Sequence, residues 1–310
     1  MQYKVFIDGQ SGTTGLQLRQ RLEKHPAVEI VLIPEELRKD VQAKKELMNS
    51  VDVVFLCLPD AAAKESVTLI ENPHVCIIDA STAHRTAPGW DYGFPELSKE
   101  HRTRLAVSKQ IANPGCHATG FIASVYPLVQ LGIVEKDYPF TAHSLTGYSG
   151  GGKKMIVEYE AVDREALLDS PAQYALGQTH KHLPEMQHVT GIAYPPVFNP
   201  IIGDYPYGMA TTVPLITRLC KKRVTKEKLA EMLQKYYQGS SFISVVNGDG
   251  QGKIYANELA NTNQLKLIVE GNDERISLTA LFDNLGKGAS GAAVQNMNIA
   301  LGLDETCGLV

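Results

Sequence analysis

The sequence predicts an α/β fold, a doubly wound Rossmann-type parallel sheet joined to an α+β domain with a mixed or antiparallel sheet. Two observations predict the first part. Strand-like and helix-like segments alternate over the first eighty residues, and "VDVVFLCL" and "HVCIIDA" are continuous apolar runs, as expected of parallel strands covered on both faces. A third predicts the second: after Gly120, "MATTVPLITRL", "NQLKLIVEG" and "RISLTALF" carry β-branched residues in near-alternation.

In chain order, "YKVFID" reads as the first strand and "TTGLQLRQRLEKH" as a helix, its apolar positions at helical spacing. "VEIVLI" reads as the second strand and "KDVQAKKELMNS" as a polar helix. The two apolar runs supply the next strands, and βαβ units of this kind wind the sheet. "GKGASGAAVQNMNIALGL" closes the chain as a glycine-rich turn opening an Ala-rich helix, placed to pack back on the first domain.

Bulk properties exclude several classes. The chain has 310 residues, 44% of them hydrophobic, and a formal charge of −4 with Lys and Arg scattered. That argues against a nucleic-acid or anionic-membrane surface while leaving room for a local anion pocket. The longest apolar candidate for a membrane span, "FIASVYPLVQLGIV", is short and interrupted by Pro127, Gln130 and Gly132. "MQYKVFIDG" enters a strand at once, so no leader is expected. Five widely spaced cysteines, with no CxxC, form neither a disulfide framework nor a zinc site. A soluble cytoplasmic protein without a metal is expected.

Between the first strand and first helix lies "DGQSGTTG". Gly9, Gly12 and Gly15 let backbone approach a diphosphate, the helix start offers unpaired N–H groups, and Ser11, Thr13 and Thr14 add hydroxyl donors. The spacing is not G-x-G-x-x-G, yet its place in the first βα unit predicts a dinucleotide site. After the second strand, Glu35 or Glu36 suits a ribose diol, and Arg38 or Lys39 a 2′-phosphate. Both cofactors stay open on these residues.

The second chemical signal is "NPGCHATG". It sets Cys116 at a helix N-terminus, whose dipole and unpaired N–H groups favour a thiolate. Cys57 and Cys76, inside apolar strands, read as inert packing. The partner such a thiol needs is offered by "THKHLPEM", with His180, Lys181, His182 and Glu185. Read as extended, this segment puts His180 and His182 on one face and Lys181 on the other. His25, His74, His84, His101 and His188 read as solvated, and Trp90 as loop packing. Arg85 in "DASTAHRT", and Lys153 or Lys154 after a glycine run, are anion-binding candidates.

Taken together, "GQSGTTG", "DASTAHR", "YGFPEL", "NPGCHATG", "HKHLPEM" and "DNLGKGASGAAVQN" resemble the N-acetyl-γ-glutamyl-phosphate reductases, in their shorter form, over nearly the whole chain. The resemblance implies an NADP-dependent enzyme of arginine biosynthesis that acts on a small acyl phosphate through a cysteine thioester and forms a homodimer or homotetramer. It implies an aspartate-semialdehyde-dehydrogenase-like layout, with residues 1–115 plus 287–310 binding NADP. Residues 116–286 would form an inserted catalytic and oligomerisation domain. It assigns Cys116 as nucleophile and His182 as acid/base, with His180 second in line. It maps the cofactor to Gly9–Gly15, Arg38 and the Asp283–Gly291 segment with Asn284. Arg85, Asn113, His180 and Lys181 fall to the substrate. Longer members carry an aromatic after the cysteine where this chain has His117. Aspartate-semialdehyde dehydrogenase and a non-catalytic dinucleotide-binding protein are the alternatives.

Overall fold

The computed structural model describes residues 2–38 and 40–310. They divide into two compact units, Met1–Pro114 with Ala289–Val310, and Gly115–Gly288.

The first unit runs β1 (Tyr3–Asp8), α1 (Thr13–Leu22), β2 (Val28–Ile30), α2 (Val41–Met48), β3 (Val53–Leu56), α3 (Asp60–Thr68), β4 (Cys76–Asp79), β5 (Asp91–Tyr92), α4 (Lys99–Leu105) and β6 (Gln110–Ala112). A C-terminal helix, Gly291–Ala300, returns to it. The sheet order is β2-β1-β3-β4-β6-β5, parallel at every pairing. Every residue of β3 and β4 is buried, which explains their unbroken apolar runs. One face packs Val5, Phe55, Ile78 and Ile111 with Leu18 and Leu22 of α1 and Val294 and Met297 of the C-terminal helix. The other packs Phe6, Val54 and Ile77 with Met48 and Ala63. The strand order reverses between β1 and β3, the switch point where doubly wound sheets bind ligands. β2 covers only half of the expected segment, since Leu32 is exposed and the chain turns away at Pro34.

The second unit opens with α5 (Cys116–Gln130), followed by β7 (Thr141–Gly147), α6 (Lys153–Glu160), β8 (Ala172–Gln173), α7 (Leu183–Thr190), β9 (Val197–Gly203), β10 (Met209–Ile216), α8 (Lys226–Tyr236), β11 (Ile243–Asn247), β12 (Leu265–Gly271) and β13 (Arg275–Phe282). Its sheet order is β11-β12-β13-β10-β7-β9-β8, mixed because β11–β12 and β7–β9 pair parallel. α5 lies against β10 and β13, and α8 against β11 and β12. α5 is apolar around its whole circumference because 12 of its 15 residues are buried. Tyr237, just past α8, ties the two helices by donating to the Ala123 carbonyl at 2.7 Å. On the opposite face a loop carrying Ala256 and Leu259 covers Ala210, Ile268 and Leu281, while Leu145 and Val197 stay exposed. No helix among the described residues is long and apolar enough to cross a membrane.

Candidate active site

In the first unit, the turn after β1 is built by its glycines. Gly9 has φ +88°, and a Cβ there would sit 2.3 Å from the Cys57 carbonyl oxygen. At Gly15 a Cβ would meet the Gly9 carbonyl at 2.4 Å. α1 starts with no side-chain cap and no acidic residue in its first turn. The N–H groups beside Thr13 and Thr14 therefore suit a phosphate, and this turn fits a dinucleotide. Arg38, half-exposed, lies 3.7 Å from Glu35; Lys39 falls outside the described residues.

Arg85 and Asn113 are both buried. Arg85 spends Nε on the Asn113 carbonyl and Nη2 on the Ala80 carbonyl, each at 3.0 Å. Asn113 donates to the Ala289 carbonyl at 2.9 Å and accepts from Asn296 at 3.1 Å. These bonds fix the chain just before Cys116.

Two of the histidines expected to be solvated are buried. His25 bonds Asn298 at 3.0 Å, and His84 bonds Asp79 at 2.6 Å while stacking on Trp90 at 4.0 Å. The His25 partner comes from the far end of the sequence, whereas Asp79 lies only five residues before His84.

The second unit gathers the chemistry. Gly115 is the N-cap of α5 and has no side chain with which to cap it. Its N–H donates instead to Glu185 Oε1 of α7 at 2.8 Å, so a buried carboxylate stands at the start of the cysteine's helix. "THKHLPE" is not extended. His182 is the N-cap of α7, with Pro184 in the first helical turn, and its N–H donates to His180 Nδ1 at 3.1 Å. The Pro locks φ for a helix start, which overrides the extended reading. The two imidazoles meet edge to face at 4.7 Å, His182 buried and His180 half-buried; Lys181 is exposed.

His117 reaches this corner as well, 5.3 Å from His180 and 5.8 Å from His182 between ring centres. Burial first, then the charges of His180 and Lys181, push its pKa down to about 3, so the ring is neutral. It bonds Ser144 at 2.7 Å and Tyr174 at 2.6 Å. Burial and the charge of Cys116 push the Tyr174 phenol above its usual range.

Gly288 lies against Cys116, where a Cβ would sit 3.0 Å from Cys116 Cβ. Asn284 spends its amide within the unit, accepting from Gly208 N–H and donating to Ser149, both at 2.9 Å. Lys153 and Lys154 are exposed at the start of α6. Burial pushes Cys57 and Cys76 up to about 12, as inert packing requires. Among the described residues no cluster of His, Cys, Asp and Glu is placed to hold a metal.

The sequence reading expected Cys116, His180, Lys181 and His182 to share a site; the fold packs His180 and His182 against His117, the residue after Cys116, and leaves Lys181 exposed. It missed Tyr174, Ser144 and the relay position of His117. The only local signal for these was the histidine standing where longer relatives carry an aromatic.

A cysteine at a helix start, a histidine pair and a doubly wound sheet agree with two domain families. The NAD-binding domain of semialdehyde dehydrogenases matches residues 4–105, and their dimerisation domain matches residues 116–284. Fold and site therefore define an oxidoreductase of the semialdehyde dehydrogenase class. Relatives include N-acetyl-gamma-glutamyl-phosphate reductase 2 of a Nostoc species, 43% identical with 99% of each chain covered. The reductase 2 of Pseudomonas putida is 44% identical, with 96% of each covered. The chain belongs to the N-acetyl-γ-glutamyl-phosphate reductase family. Its fold is shared by aspartate semialdehyde dehydrogenase II of Vibrio cholerae, with a TM-score of 0.73 at 16% identity over 97% of this chain and 98% of that one. The NADP complex of the Candida albicans aspartate semialdehyde dehydrogenase gives 0.69 at 15%, over 96% and 98%.

Proposed function

We propose that the chain reduces N-acetyl-γ-glutamyl phosphate to N-acetyl-glutamate 5-semialdehyde and phosphate, in cytoplasmic arginine biosynthesis, with NADPH as reductant. One observation carries the reading: Cys116 starts a buried helix whose next residue, His117, packs against His180 and His182, in a chain whose relatives bear that enzyme's name.

Cys116 Sγ attacks the γ-carbonyl carbon and phosphate leaves, giving a thioester. The N-terminal end of α5 stabilises negative charge on sulfur, before attack and again when the thiol is expelled. When bound, the nicotinamide supplies the hydride that reduces the thioester. His182 gives a proton to the resulting oxyanion and takes it back as the thiohemiacetal collapses to aldehyde and Cys116 thiolate, and His180 fixes its backbone. Backbone N–H groups at a helix start are suited to the oxyanion, where removal of one such donor costs about 3–4 kcal/mol.

Gly9, Ser11, Gly12, Thr13, Thr14 and Gly15 would hold the diphosphate, and Arg38 the 2′-phosphate. We assign Arg85 and Lys181 to the anionic groups of the substrate. Asn113 and Asn284 act by fixing the backbone they bond. Two copies would associate through the open part of the seven-stranded sheet, around Leu145 and Val197.

The test is phosphate-dependent reduction of NADP⁺, with NAD⁺ alongside, by N-acetyl-glutamate 5-semialdehyde and by aspartate semialdehyde. Turnover with the first aldehyde and NADP⁺, lost by orders of magnitude in Cys116→Ser and less severely in His182→Asn, is expected. Preference for aspartate semialdehyde, or a Cys116→Ser variant that turns over normally, overturns the reading.

A further inference from the structure

The arginines of this chain divide by whether they have a partner. There are ten. Seven hold a carboxylate, a hydroxyl or a backbone carbonyl through their guanidinium groups. Among the described residues the other three, Arg218, Arg223 and Arg275, hold none, and all three line one cleft of the second unit. Its volume is about 640 Å³, within the range of roughly 300–1,000 Å³ that small-molecule sites occupy. Glu274 is the acid on its wall.

The three come from different places in the chain. "TRLCKKR", residues 217–223, carries four basic side chains in seven positions and no acid. Two of the four are engaged: Lys221 pairs with Glu135 at 2.7 Å, and Lys222 donates to the Leu131 carbonyl at 3.0 Å. Arg218 and Arg223 remain. Arg275 is the first residue of β13, and the strand register sets it beside Ile216, the last residue of β10.

Hydrogen bonds fix the frame of the cleft. Ile216 N–H donates to the Tyr138 hydroxyl at 2.7 Å. Thr217 donates its N–H to the Glu274 carbonyl at 3.1 Å and its hydroxyl to the Asp273 carbonyl at 2.6 Å. Asn272 Oδ1 accepts from Arg275 N–H at 3.0 Å. Three like charges around one fixed cleft repel one another, and Glu274 forms an ion pair with none of them. The side chains are exposed, so their N–H groups stay open to an incoming ligand. An anion relieves such repulsion, and guanidinium planes present paired donors that match a carboxylate or a phosphate. Three positive side chains and one negative leave two charges for the occupant to balance.

This cleft lies apart from Cys116. α5 starts at Cys116 and meets Thr211 and Phe282 at Gly120, towards the Met209–Phe282 end of the β10–β13 pair. Ile216 and Arg275 are at the other end, where Lys222 reaches Leu131, the C-cap of α5. The 15 residues of α5 span about 22 Å.

We propose that this cleft binds a small dianion, a dicarboxylate or a phosphomonoester, at a site remote from the reacting thiol.

The test is isothermal titration calorimetry of the intact protein at low salt, with sodium succinate and with methyl phosphate. At least one probe should bind once per chain, with an affinity that falls as salt is raised. The tighter of the two names the ligand class. Arg218→Gln and Arg275→Gln should each weaken that binding about tenfold, the size of one charge-assisted hydrogen bond, and Glu274→Gln should tighten it. None of the three removes an existing ion pair, so the urea midpoint should hold, as should kcat and KM in the aldehyde assay. Failure of both probes to bind overturns the inference. So does full affinity in the Arg218→Gln, Arg275→Gln double variant, which would place the titrated site elsewhere. Binding is read without turnover, so neither result bears on the thioester reading.

Discussion

Gly120 is the fifth residue of α5, and Gly120→Ala tests whether helix–sheet contact sets the position of the nucleophile. A Cβ at this site would lie 2.6 Å from both Cβ and Oγ1 of Thr211, and 2.9 Å from Cε1 of Phe282. Carbon atoms pack at about 3.5–4.0 Å, so roughly 1 Å must be found. Thr211 is on β10 and Phe282 ends β13, and neither strand can retreat while paired to the other. Either α5 lifts, carrying Cys116, or Thr211 turns and gives up Ser144. Overpacking costs about 1–3 kcal/mol. Alanine's better helix propensity returns about 1 kcal/mol, and a lost hydroxyl bond adds about 1 kcal/mol. The net expectation is a loss of about 1–3 kcal/mol in urea unfolding. A shift near 1 Å at a reacting atom costs up to about a hundredfold in rate, so kcat should fall at least tenfold in the aldehyde assay. An unchanged urea midpoint together with unchanged kcat would refute the reasoning.

Two further predictions follow from the same unit. His117 takes up its proton only near pH 3 in the folded chain, against an ordinary value of 6.5. The unfolded chain therefore binds it first, and stability, complete above about pH 6.5, should fall as pH drops toward 3. His117→Gln should flatten that part of the urea-midpoint profile; parallel profiles would show that other groups carry the slope. If two copies associate through the open sheet face as proposed, Leu145→Glu, at an exposed apolar position on it, should give a smaller species than wild type in sedimentation velocity. An unchanged sedimentation coefficient would move the interface elsewhere.

What the sequence made legible was what local chemistry dictates. β3 and β4 showed as apolar runs because both faces of a parallel strand are covered. The turn from Gly9 to Gly15 showed because a close approach to the Cys57 and Gly9 carbonyls admits no side chain. Cys116 showed because Pro-Gly before a cysteine marks a helix start. The signals that failed were mainly long-range. His25 meets Asn298 only after the C-terminal helix packs on the sheet, so its polar neighbours in sequence misled; Asp79, five residues before His84, was within local reach and was overlooked. The histidine turn was legible in principle, since Pro184 and Glu185 are first-turn residues, but alternation of His, Lys and His imitates a strand. Tyr174 had no signal: it lies 57 residues from His117 and is brought there by the two-residue edge strand β8 on β9.

"CHATG" then joins packing to chemistry within a single turn and a half of helix. Cys116 takes the helix start, and Thr119 returns its hydroxyl to the Gly115 carbonyl at 3.1 Å, closing that turn on itself. Ala118 is fully buried. Gly120 lets Thr211 approach the helix, and Thr211 is where the line of hydrogen bonds to Ser144, His117 and Tyr174 begins. The sheet contact that demands glycine at 120 therefore also sets one end of the hydrogen-bonded line that holds the ring next to Cys116. A larger residue at 120 and a lost hydroxyl at 211 should then loosen the His117 ring in the same way, although neither residue bonds that ring.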